Sequence, residues 1–222
     1  MKNRSELYPY SNGGKFKGKQ AAAIFTEIMA HEIWEEKESL SGYGSSLAQT
    51  QELIKELPIV FQKYNIRNLL DTPCGDFNWM QKLDFTNMVY TGGDIVKELI
   101  EINRSKYSSQ NISFIQMDLM EKIVGEYDML FCRDCLVHLS FEDIFKVLEN
   151  VKGSRIKYFM TTTFPEEPEN KNIVTGGWRP LNFLLPPFNF PKPPFLLNEK
   201  CTEMDGVFVD KSLGLWEVSQ FP

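Results

Sequence analysis

Residues 69–80 have the sequence LLDTPCGDFNWM, and this stretch decides the fold that we predict for the chain. A short apolar run ends at Asp71, and a Pro-Cys-Gly turn, a second acid at Asp76 and two aromatic residues follow. An apolar run that ends in such a turn predicts a strand leading into a ligand-binding loop. The loop holds a single glycine, Gly75, with an acid on each side of it.

The chain around this stretch alternates between strand and helix patterns. Short apolar runs predict strands at 66–71, 88–94, 111–118, 127–134 and 155–164. Helical spacing of apolar residues predicts helices between them, at 76–83, 95–107 and 140–151, with Ser140 as the N-cap of the last one. This alternation predicts βαβ units and a mainly parallel sheet.

The segments outside this core have different patterns. Residues 1–19 are expected to form a flexible or partner-dependent arm, and helices are expected at 20–38 and 47–64, with Pro58 kinking or splitting the second. Residues 165–195 hold eight of the twelve prolines and many apolar residues, which favours an ordered lid. We expect one domain over residues 1–222, divided into a helical extension (1–64), a ligand-binding core (65–164), the Pro-rich lid (165–195) and final strands (196–222).

Acids end four consecutive predicted strands, at Asp71, Asp94, Asp118 and Asp134. Ligands of parallel sheets bind at the carboxyl ends of the strands, where the strand order reverses. The G-x-G-x-x-G pattern that cradles a pyrophosphate is absent, and acids would repel phosphate. The pattern favours a ligand without phosphate that offers ribose hydroxyls, an adenine amine and an α-amino group, as S-adenosylmethionine does.

With these features, the chain resembles the class I, Rossmann-like S-adenosylmethionine-dependent methyltransferases over about residues 66–164. Residues 69–80 resemble the first family motif, YTGGDI the second and FIQMDLM the third, and YDMLFCRDCLVHLS resembles the fourth strand and its turn. The resemblance implies an α/β fold with a seven-stranded sheet, mostly parallel with an antiparallel last strand, and helices on both faces. The stretches at 34–50 and 176–191 are similar to a subgroup of small bacterial methyltransferases, which implies an acceptor from a surface-polysaccharide pathway.

The resemblance also implies a set of cofactor-binding residues. It places Asp94 on the ribose and Asp118 with Leu119 on the adenine, and it folds the loop at 41–46 over the cofactor. The full set is Asp71, Cys74, Gly75, Asp76, Trp79, Asp94, Ile95, Asp118, Leu119, Arg133, Ser41 and Ser45. Phe77 departs from the family pattern, in which a glycine stands at this position, and it is expected to narrow the space beside the cofactor.

His138 and Asp134 follow the fourth strand and are the predicted catalytic residues. In the implied fold, this loop faces the methyl group that is transferred. A histidine titrates near neutral pH and can take the proton of an acceptor hydroxyl, while Asp134 could orient it or act as the base itself. A capping or packing role for His138 is the alternative.

Cys132, Cys135 and His138 allow three interpretations. A Cys-x-x-Cys pair where a strand meets a loop occurs in redox proteins, and with a further cysteine the group could bind zinc. No second pair of ligands follows at zinc spacing. Buried, unreactive thiols are the favoured interpretation, and no metal is predicted.

Residues 176–183 of the Pro-rich segment, GGWRPLNF, offer three acceptor-binding candidates. Arg179 could clamp a phosphate or carboxylate, Asn182 could bond a sugar hydroxyl, and Trp178 could stack on a sugar ring. The alternative is that Trp178 packs the loop on the sheet and Arg179 pairs with an acid.

Composition restricts the partners. The formal net charge is −6, and no basic run marks a nucleic-acid site. The polar N-terminus lacks the apolar segment of a secretory signal, and no run is apolar enough to span a membrane, so a cytoplasmic location is expected. The oligomeric state stays open.

The sequence therefore predicts a methyltransferase that uses S-adenosylmethionine and methylates oxygen, or with less support nitrogen, of a small polar metabolite such as a sugar or phosphorylated glycan precursor. The rival hypotheses are a protein or RNA methyltransferase, a partner subunit that binds the cofactor without catalysis, and a thiol oxidoreductase that uses Cys132 and Cys135.

Overall fold

The computed structural model describes Arg4, residues 14–31, Ile33 and residues 37–222. The strands of this part of the chain are β1 Asn68–Asp71, β2 Val89–Asp94, β3 Ile112–Gln116, β4 Met129–Cys132, β5 Tyr158–Thr163, β6 Phe195–Asn198 and β7 Ser212–Glu217. Its helices are α1 Ala21–Ala30, α2 Leu47–Lys63, α3 Lys97–Tyr107, α4 Phe141–Lys152 and the one-turn α5 Glu203–Gly206.

All seven strands form one sheet in the order β3-β2-β1-β4-β5-β7-β6. Strands β1 to β5 pair with one another in parallel, and β7 is antiparallel to both β5 and β6. The predicted seven-stranded, mostly parallel sheet with an antiparallel last strand is confirmed. The strand order reverses between β1 and β4, which leaves a crevice at their carboxyl ends.

Helices pack on both faces of the sheet, as predicted. Successive side chains of a strand point to opposite faces. Leu69 therefore joins an apolar cluster with Leu57 of α2 and Ile100 of α3. Its neighbour Leu70 joins a second cluster with Val147 of α4.

The N-terminal helices differ from their predicted lengths. Helix α1 ends at Ala30 rather than at residue 38. The Ser39 hydroxyl and the Leu40 N–H both donate to Asp76, at 3.0 and 2.8 Å, so the chain has already turned toward the 71–80 loop. Helix α2 continues through Pro58 without a break. Trp34 and most of the predicted arm at 1–19 lie outside the described residues.

The predicted helix at 76–83 is wrong, and only a 3₁₀ turn at Met80–Lys82 forms there. Gly75 and Phe77 have φ values of 54° and 59°, and this left-handed conformation cannot continue a right-handed helix. The Phe77 ring is 2% exposed and points into the core, away from the cavity described below. Its ring neighbours are Phe85, Tyr90, Tyr107 and Phe114. The expectation that Phe77 narrows the cofactor site is therefore wrong.

Helix α4 begins where its cap was predicted. The Ser140 hydroxyl accepts a hydrogen bond from the Asp143 N–H at 3.2 Å, which satisfies one of the free donors of the first turn. Ile144, Val147 and Val151 then form the buried face of the helix. This cap fixes where the chain leaves the loop after β4.

The middle of the Pro-rich segment is part of the core, since residues 175–183 are all buried. Residues 165–194 contain no helix or strand, yet Leu181, Phe183 and Phe188 are buried in the same cluster as α4. The Trp216 indole of β7 donates to the Pro191 carbonyl at 2.7 Å. A lid role can apply only to the short part of the segment that reaches the cavity, residues 176–178.

The position of Phe77 generates a stability prediction. Phe77→Ala should lower the free energy of unfolding by about 3–5 kcal/mol, the usual cost of removing a buried Phe ring. Urea denaturation measures it, with Phe145→Ala as the matched control because that ring remains 40% exposed. Equal costs for the two substitutions would contradict the core position of Phe77.

Candidate functional site

A cavity of about 590 Å³ lies at the carboxyl ends of the central strands, in the crevice where the strand order reverses. This volume is within the usual range of small-molecule sites. The predicted site residues that line it are Asp71, Cys74, Gly75, Trp79, Asp94, Ile95, Asp118, Leu119, Arg133, Asp134, His138, Ser41, Ser45 and Trp178. Asp76, Arg179 and Asn182 do not line it.

Two buried carboxyl groups form the floor of the cavity. Asp71 accepts a hydrogen bond from the Tyr90 hydroxyl at 2.6 Å, and burial raises the pKa of Asp71 to about 7 against the effect of this bond. Asp94 accepts from the N–H groups of Gly75 at 3.1 Å and Val96 at 2.9 Å. Burial raises the pKa of Asp94 to about 6, although these bonds favour the ionised form. Both groups would be stabilised as carboxylates by hydroxyl donors or a cation in the cavity.

Asp118 lies at the cavity edge after β3. It accepts a hydrogen bond from the Met120 N–H at 2.8 Å, and partial burial raises its pKa. Leu119 beside it is buried and also faces the cavity. A carboxyl group that accepts hydrogen bonds, next to an apolar side chain, suits a flat ring with an amine at its edge.

The loop at 39–46 closes the cavity over Gly75. A Cβ at Gly75 would overlap the Ser41 hydroxyl, so a glycine is required for the two loops to meet. Asp76 holds the same loop through its bonds to Ser39 and Leu40. Asp76 does not line the cavity, and its bonds make it a residue that positions the loop.

Asn103 of α3 is a site residue that the sequence did not indicate. Its buried amide donates to the Gly75 carbonyl at 2.7 Å and lies 3.8 Å from the Cys74 sulfur. The amide thus fixes the turn that carries both residues. A polar residue on the apolar face of a predicted helix was the only available signal.

Five charged side chains cluster on the other side of the cavity. Arg133 Nη2 lies 2.7 Å from Glu199 and Lys211 Nζ lies 2.6 Å from Asp134. Glu203 lies 3.7 Å from the Lys211 ammonium. Arg133, Asp134, Glu203 and Lys211 line the cavity. With both cations counted against the three acids, the cluster carries one net negative charge.

This cluster determines the ionisation of Asp134. Burial raises the pKa of Asp134, but the charges of Lys211 and Arg133 outweigh it and hold the pKa at about 2. Although burial lowers the pKa of Lys211, the charges of Asp134 and Glu199 raise it. Asp134 is a paired carboxylate and a weak base, which argues against the prediction that it could act as the general base.

His138 is held in one tautomer. Its Nδ1 lies 2.8 Å from the Gly177 carbonyl oxygen, which can only accept, so Nδ1 carries the proton and Nε2 the lone pair. The Gly176 N–H donates to the backbone carbonyl of His138, also at 2.8 Å. Burial lowers the pKa of His138 to about 4, against the raising effect of the bond to Gly177. The imidazole is therefore neutral at physiological pH.

Residues 176 and 177 are in turn covered by the N-terminal segment. Gly176 has a φ of 96°, and a Cβ there would overlap the side chains of Phe16 and Ile24. Helix α1 therefore packs directly on the backbone that holds the imidazole of His138.

Two of the three candidates for binding the methyl acceptor in the Pro-rich segment, Arg179 and Asn182, point away from the cavity. Arg179 is 1% exposed, and its guanidinium donates to the carbonyls of Leu136 at 2.8 Å and Leu139 at 2.6 Å. The Asn182 amide donates to the carbonyls of Pro165 and Glu167. Both side chains tie the segment together, so their predicted roles as acceptor clamps are wrong.

Cys132 is fully buried in β4, and burial raises the pKa of its thiol well above the usual range. A low thiol pKa is what a redox dithiol requires, so the structure argues against that interpretation.

Among residues 14–31, Ile33, residues 37–222 and Arg4, no group of His, Cys, Asp and Glu has the arrangement of a metal site. No helix in these ranges is long and apolar enough to cross a membrane.

The charge cluster generates a second stability prediction. Lys211→Met should lower the free energy of unfolding by about 3–5 kcal/mol, because it removes one of the two cations of a cluster that holds the buried Glu199 and the partly buried Asp134. Lys146→Met is the matched control, since Lys146 pairs with acids at 48% side-chain exposure and should change stability by no more than about 0.5 kcal/mol. Chemical denaturation compares them, and similar values for both would rule out the buried pairing.

Comparisons with known proteins address the fold. No protein-family model and no curated protein matches the chain. Magnesium protoporphyrin IX methyltransferase from Synechocystis PCC 6803, solved with bound S-adenosylmethionine, matches at a TM-score of 0.51 and 14% identity, over 70% of this chain and 82% of that one. An S-adenosylmethionine-dependent methyltransferase from Clostridium acetobutylicum matches at 0.45 and 14%, over 66% and 60%. The methyltransferase domain of bacterial CtHen1 matches at 0.44 and 16%, over 52% and 66%.

The last two similarities are too weak to support an argument, and the chain spans only about two thirds or less of those proteins. The similarity to magnesium protoporphyrin IX methyltransferase is one of fold rather than of sequence, since the TM-score is 0.51 at 14% identity. Together with the order β3-β2-β1-β4-β5-β7-β6, it shows that this chain has the Rossmann-like fold of S-adenosylmethionine-dependent methyltransferases.

Proposed function

We propose that this chain is an S-adenosylmethionine-dependent methyltransferase that methylates a small molecule, at oxygen in preference to nitrogen. The observation that carries the proposal is the position of Asp94. This buried carboxyl ends β2, faces the cavity and is held by the N–H groups of Gly75 and Val96. Each of its oxygens keeps a further lone pair, which suits the two hydroxyls of a ribose.

The other lining residues fit the rest of the cofactor. Asp118 and Leu119 would hold the adenine, and Asp71 with the Cys74–Gly75 turn would hold the methionine end. A cationic amine next to Asp71 would stabilise its ionised form, which burial disfavours. When bound, S-adenosylmethionine supplies an electrophilic methyl group on a sulfonium. The acids on the cavity floor would repel the pyrophosphate of a dinucleotide.

His138 is the proposed general base. Its Nδ1 donates to the Gly177 carbonyl, and this fixes Nε2 as the atom that accepts the proton of an acceptor hydroxyl. Asp134 remains a positioning group, because it pairs with Lys211 and lies near the imidazole. Burial keeps the imidazole neutral and therefore ready to accept a proton at physiological pH.

The proposal also includes the chemical class of the molecule that accepts the methyl group. The enclosed cavity and the net charge of −6 support a small molecule over RNA, and oxygen is favoured because His138 can accept a hydroxyl proton. A sugar or glycan precursor was expected from the resemblance of residues 34–50 and 176–191 and from Arg179 and Asn182, and both of these side chains are bonded to backbone carbonyls. The non-catalytic subunit is the second candidate, and it would bind the cofactor without any transfer.

Asp94→Ala tests the cofactor site. Loss of the bonds to both ribose hydroxyls should weaken binding of S-adenosylhomocysteine by about 1–3 kcal/mol. In the unchanged protein, the affinity should rise between pH 5 and pH 7, since Asp94 has a pKa of about 6 and accepts these bonds best when ionised. Titration calorimetry measures both effects.

Asp84→Ala is the control, because Asp84 is an exposed acid outside the cavity. NADH serves as the control ligand and should not bind. Binding of NADH alone, or equal affinity of S-adenosylhomocysteine for Asp94→Ala and the unchanged protein, would refute the proposed cofactor site.

His138→Gln tests the base. It should lower kcat for a hydroxyl acceptor by about 10²–10⁴-fold while leaving affinity for S-adenosylhomocysteine unchanged. With a pKa of about 4, His138 should produce no break in kcat of the unchanged protein between pH 5.5 and 8. His31→Gln, at the exposed end of α1, is the matched control. A kcat that survives His138→Gln would exclude His138 as the base.

A further inference from the structure

An aromatic wall borders the cavity next to His138. Phe164, Trp178 and Phe208 all line it, and their ring centroids lie 5.1–6.0 Å apart in edge-to-face contacts. Trp178 directly follows Gly177, the residue whose carbonyl fixes the His138 tautomer. An acceptor beside His138 would therefore meet aromatic carbon on one side and the charge cluster of Asp134 and Lys211 on another.

Helix α1 covers the cavity with a second apolar surface. Ala21, Phe25 and Met29 recur every four residues, which places them on one face of the helix, and all three line the cavity. They are only half-buried. A different face of the same helix, with Ile24 and Ile28, is fully buried against Phe16. Phe25 also packs on the apolar clusters around α4 and around Phe16, and the part of this face that stays exposed would gain apolar contact from a ligand in the cavity.

The charges around the cavity disfavour an anion. Among the described lining residues, the fixed cations are Arg133 and Lys211, and each is bonded to an acid. Glu203 adds a third acid to the cluster and leaves it with one net negative charge. The Arg4 guanidinium lies over the Phe164 and Phe208 rings, and it is paired with Asp210. A phosphate or carboxylate on the acceptor would therefore meet this negative charge while these three cations are bonded to acids, at a cost that low-dielectric surroundings increase.

From these three features we infer that the acceptor is an aromatic hydroxyl compound that carries no negative charge. The inference rests on the proposed methyl transfer and specifies its substrate. The flat ring packs between the aromatic wall and α1, and the hydroxyl points to His138. The sequence led us to expect a small polar acceptor, such as a sugar or phosphorylated glycan precursor. The inferred acceptor has an apolar ring instead.

The chemistry of His138 agrees with this acceptor. In the transfer, the acceptor oxygen forms a bond to the methyl carbon, the bond from that carbon to sulfur breaks, and the hydroxyl proton passes to Nε2. A phenolic hydroxyl has a pKa near 10, far below that of an aliphatic alcohol, so it gives up its proton more readily. This matters because burial makes His138 a weak base, with a pKa of about 4. The products are a methyl ether and S-adenosylhomocysteine, and His138 returns its proton to solvent.

A matched set of acceptors tests the inference on the full chain. The set is 2-naphthol, its anionic counterpart 6-hydroxy-2-naphthoate, and glucose 6-phosphate, each assayed with S-adenosylmethionine by release of S-adenosylhomocysteine and by product mass. We expect kcat/KM for 2-naphthol to exceed that for the naphthoate at least tenfold, with no transfer to glucose 6-phosphate. Preference for the naphthoate or the sugar phosphate, or no transfer to 2-naphthol, would overturn the inference.

Binding of S-adenosylhomocysteine, measured first by calorimetry, separates this failure from failure of the proposed function. If the protein binds it and the acceptor pattern is wrong, only the aromatic acceptor is excluded. If the protein does not bind it, the methyltransferase proposal itself is wrong.

Variants of Phe25 test the role of α1. Phe25→Ser should raise KM for 2-naphthol about tenfold, and Phe25→Leu, which keeps the apolar contact, should stay within about threefold of the unchanged protein. Val124→Ser is the control, since Val124 is 77% exposed and lies outside the cavity. If Phe25→Ser unfolds at the same temperature as the unchanged protein and its KM for 2-naphthol is also unchanged, the inference that the acceptor ring packs against α1 would be overturned.

Discussion

The pairing of β1 with β2 on one side and β4 on the other is the constraint on which the rest of the structure depends. Because the chain builds outward from β1 to β3 and then returns to place β4 beside β1, the loops after these two strands diverge. The crevice between them receives Asp71 from β1 and the Arg133–Asp134 pair from β4. The position of the cavity thus follows from strand order, and local sequence determines only its chemistry.

That chemistry consists of acids in two different environments. Asp71 and Asp94 are buried among neutral donors, and burial raises the pKa of each carboxyl group. Asp134 is buried beside Lys211 and Arg133, and these cations hold its pKa far lower. The first pair responds to a ligand that brings a cation or hydroxyl donors. Asp134 is instead an ionised carboxylate whose charge is already balanced by Lys211 and Arg133. These ion pairs hold the loop after β4 in place.

The sequence was sufficient to predict the features that depend on local pattern. The ends of β1 and β2, the Ser140 cap and the acids of the cavity floor each follow from a few neighbouring residues, and the structure has them where predicted. Strands β3 and β4 each end two residues before the predicted residue. The charge cluster was missed because Glu199 and Lys211 reach the site through the β6–β7 hairpin, far along the chain from Arg133. Pairing across such distances has no local signal.

The direction in which a side chain points was the other property that could not be predicted from the sequence. Arg179 and Phe77 were identified as important, yet the guanidinium points to carbonyls of the loop after β4 and the ring points into the core. A one-residue change in backbone conformation decides such outcomes, as the left-handed φ of Phe77 shows. The predicted length of α1 was also wrong, and the Leu40 N–H, two residues beyond the predicted helix end, is bonded to Asp76 of the loop after β1.

The contact of α1 with Gly176 links entry of a substrate to alignment of the base. Phe16 and Ile24 press on Gly176, and residues 176 and 177 make the two hydrogen bonds that orient His138. Under the proposed function, the N-terminal segment would therefore do more than cover the cavity. It supports the backbone that orients the base, so the alignment of the base would depend on residues far from it in the chain.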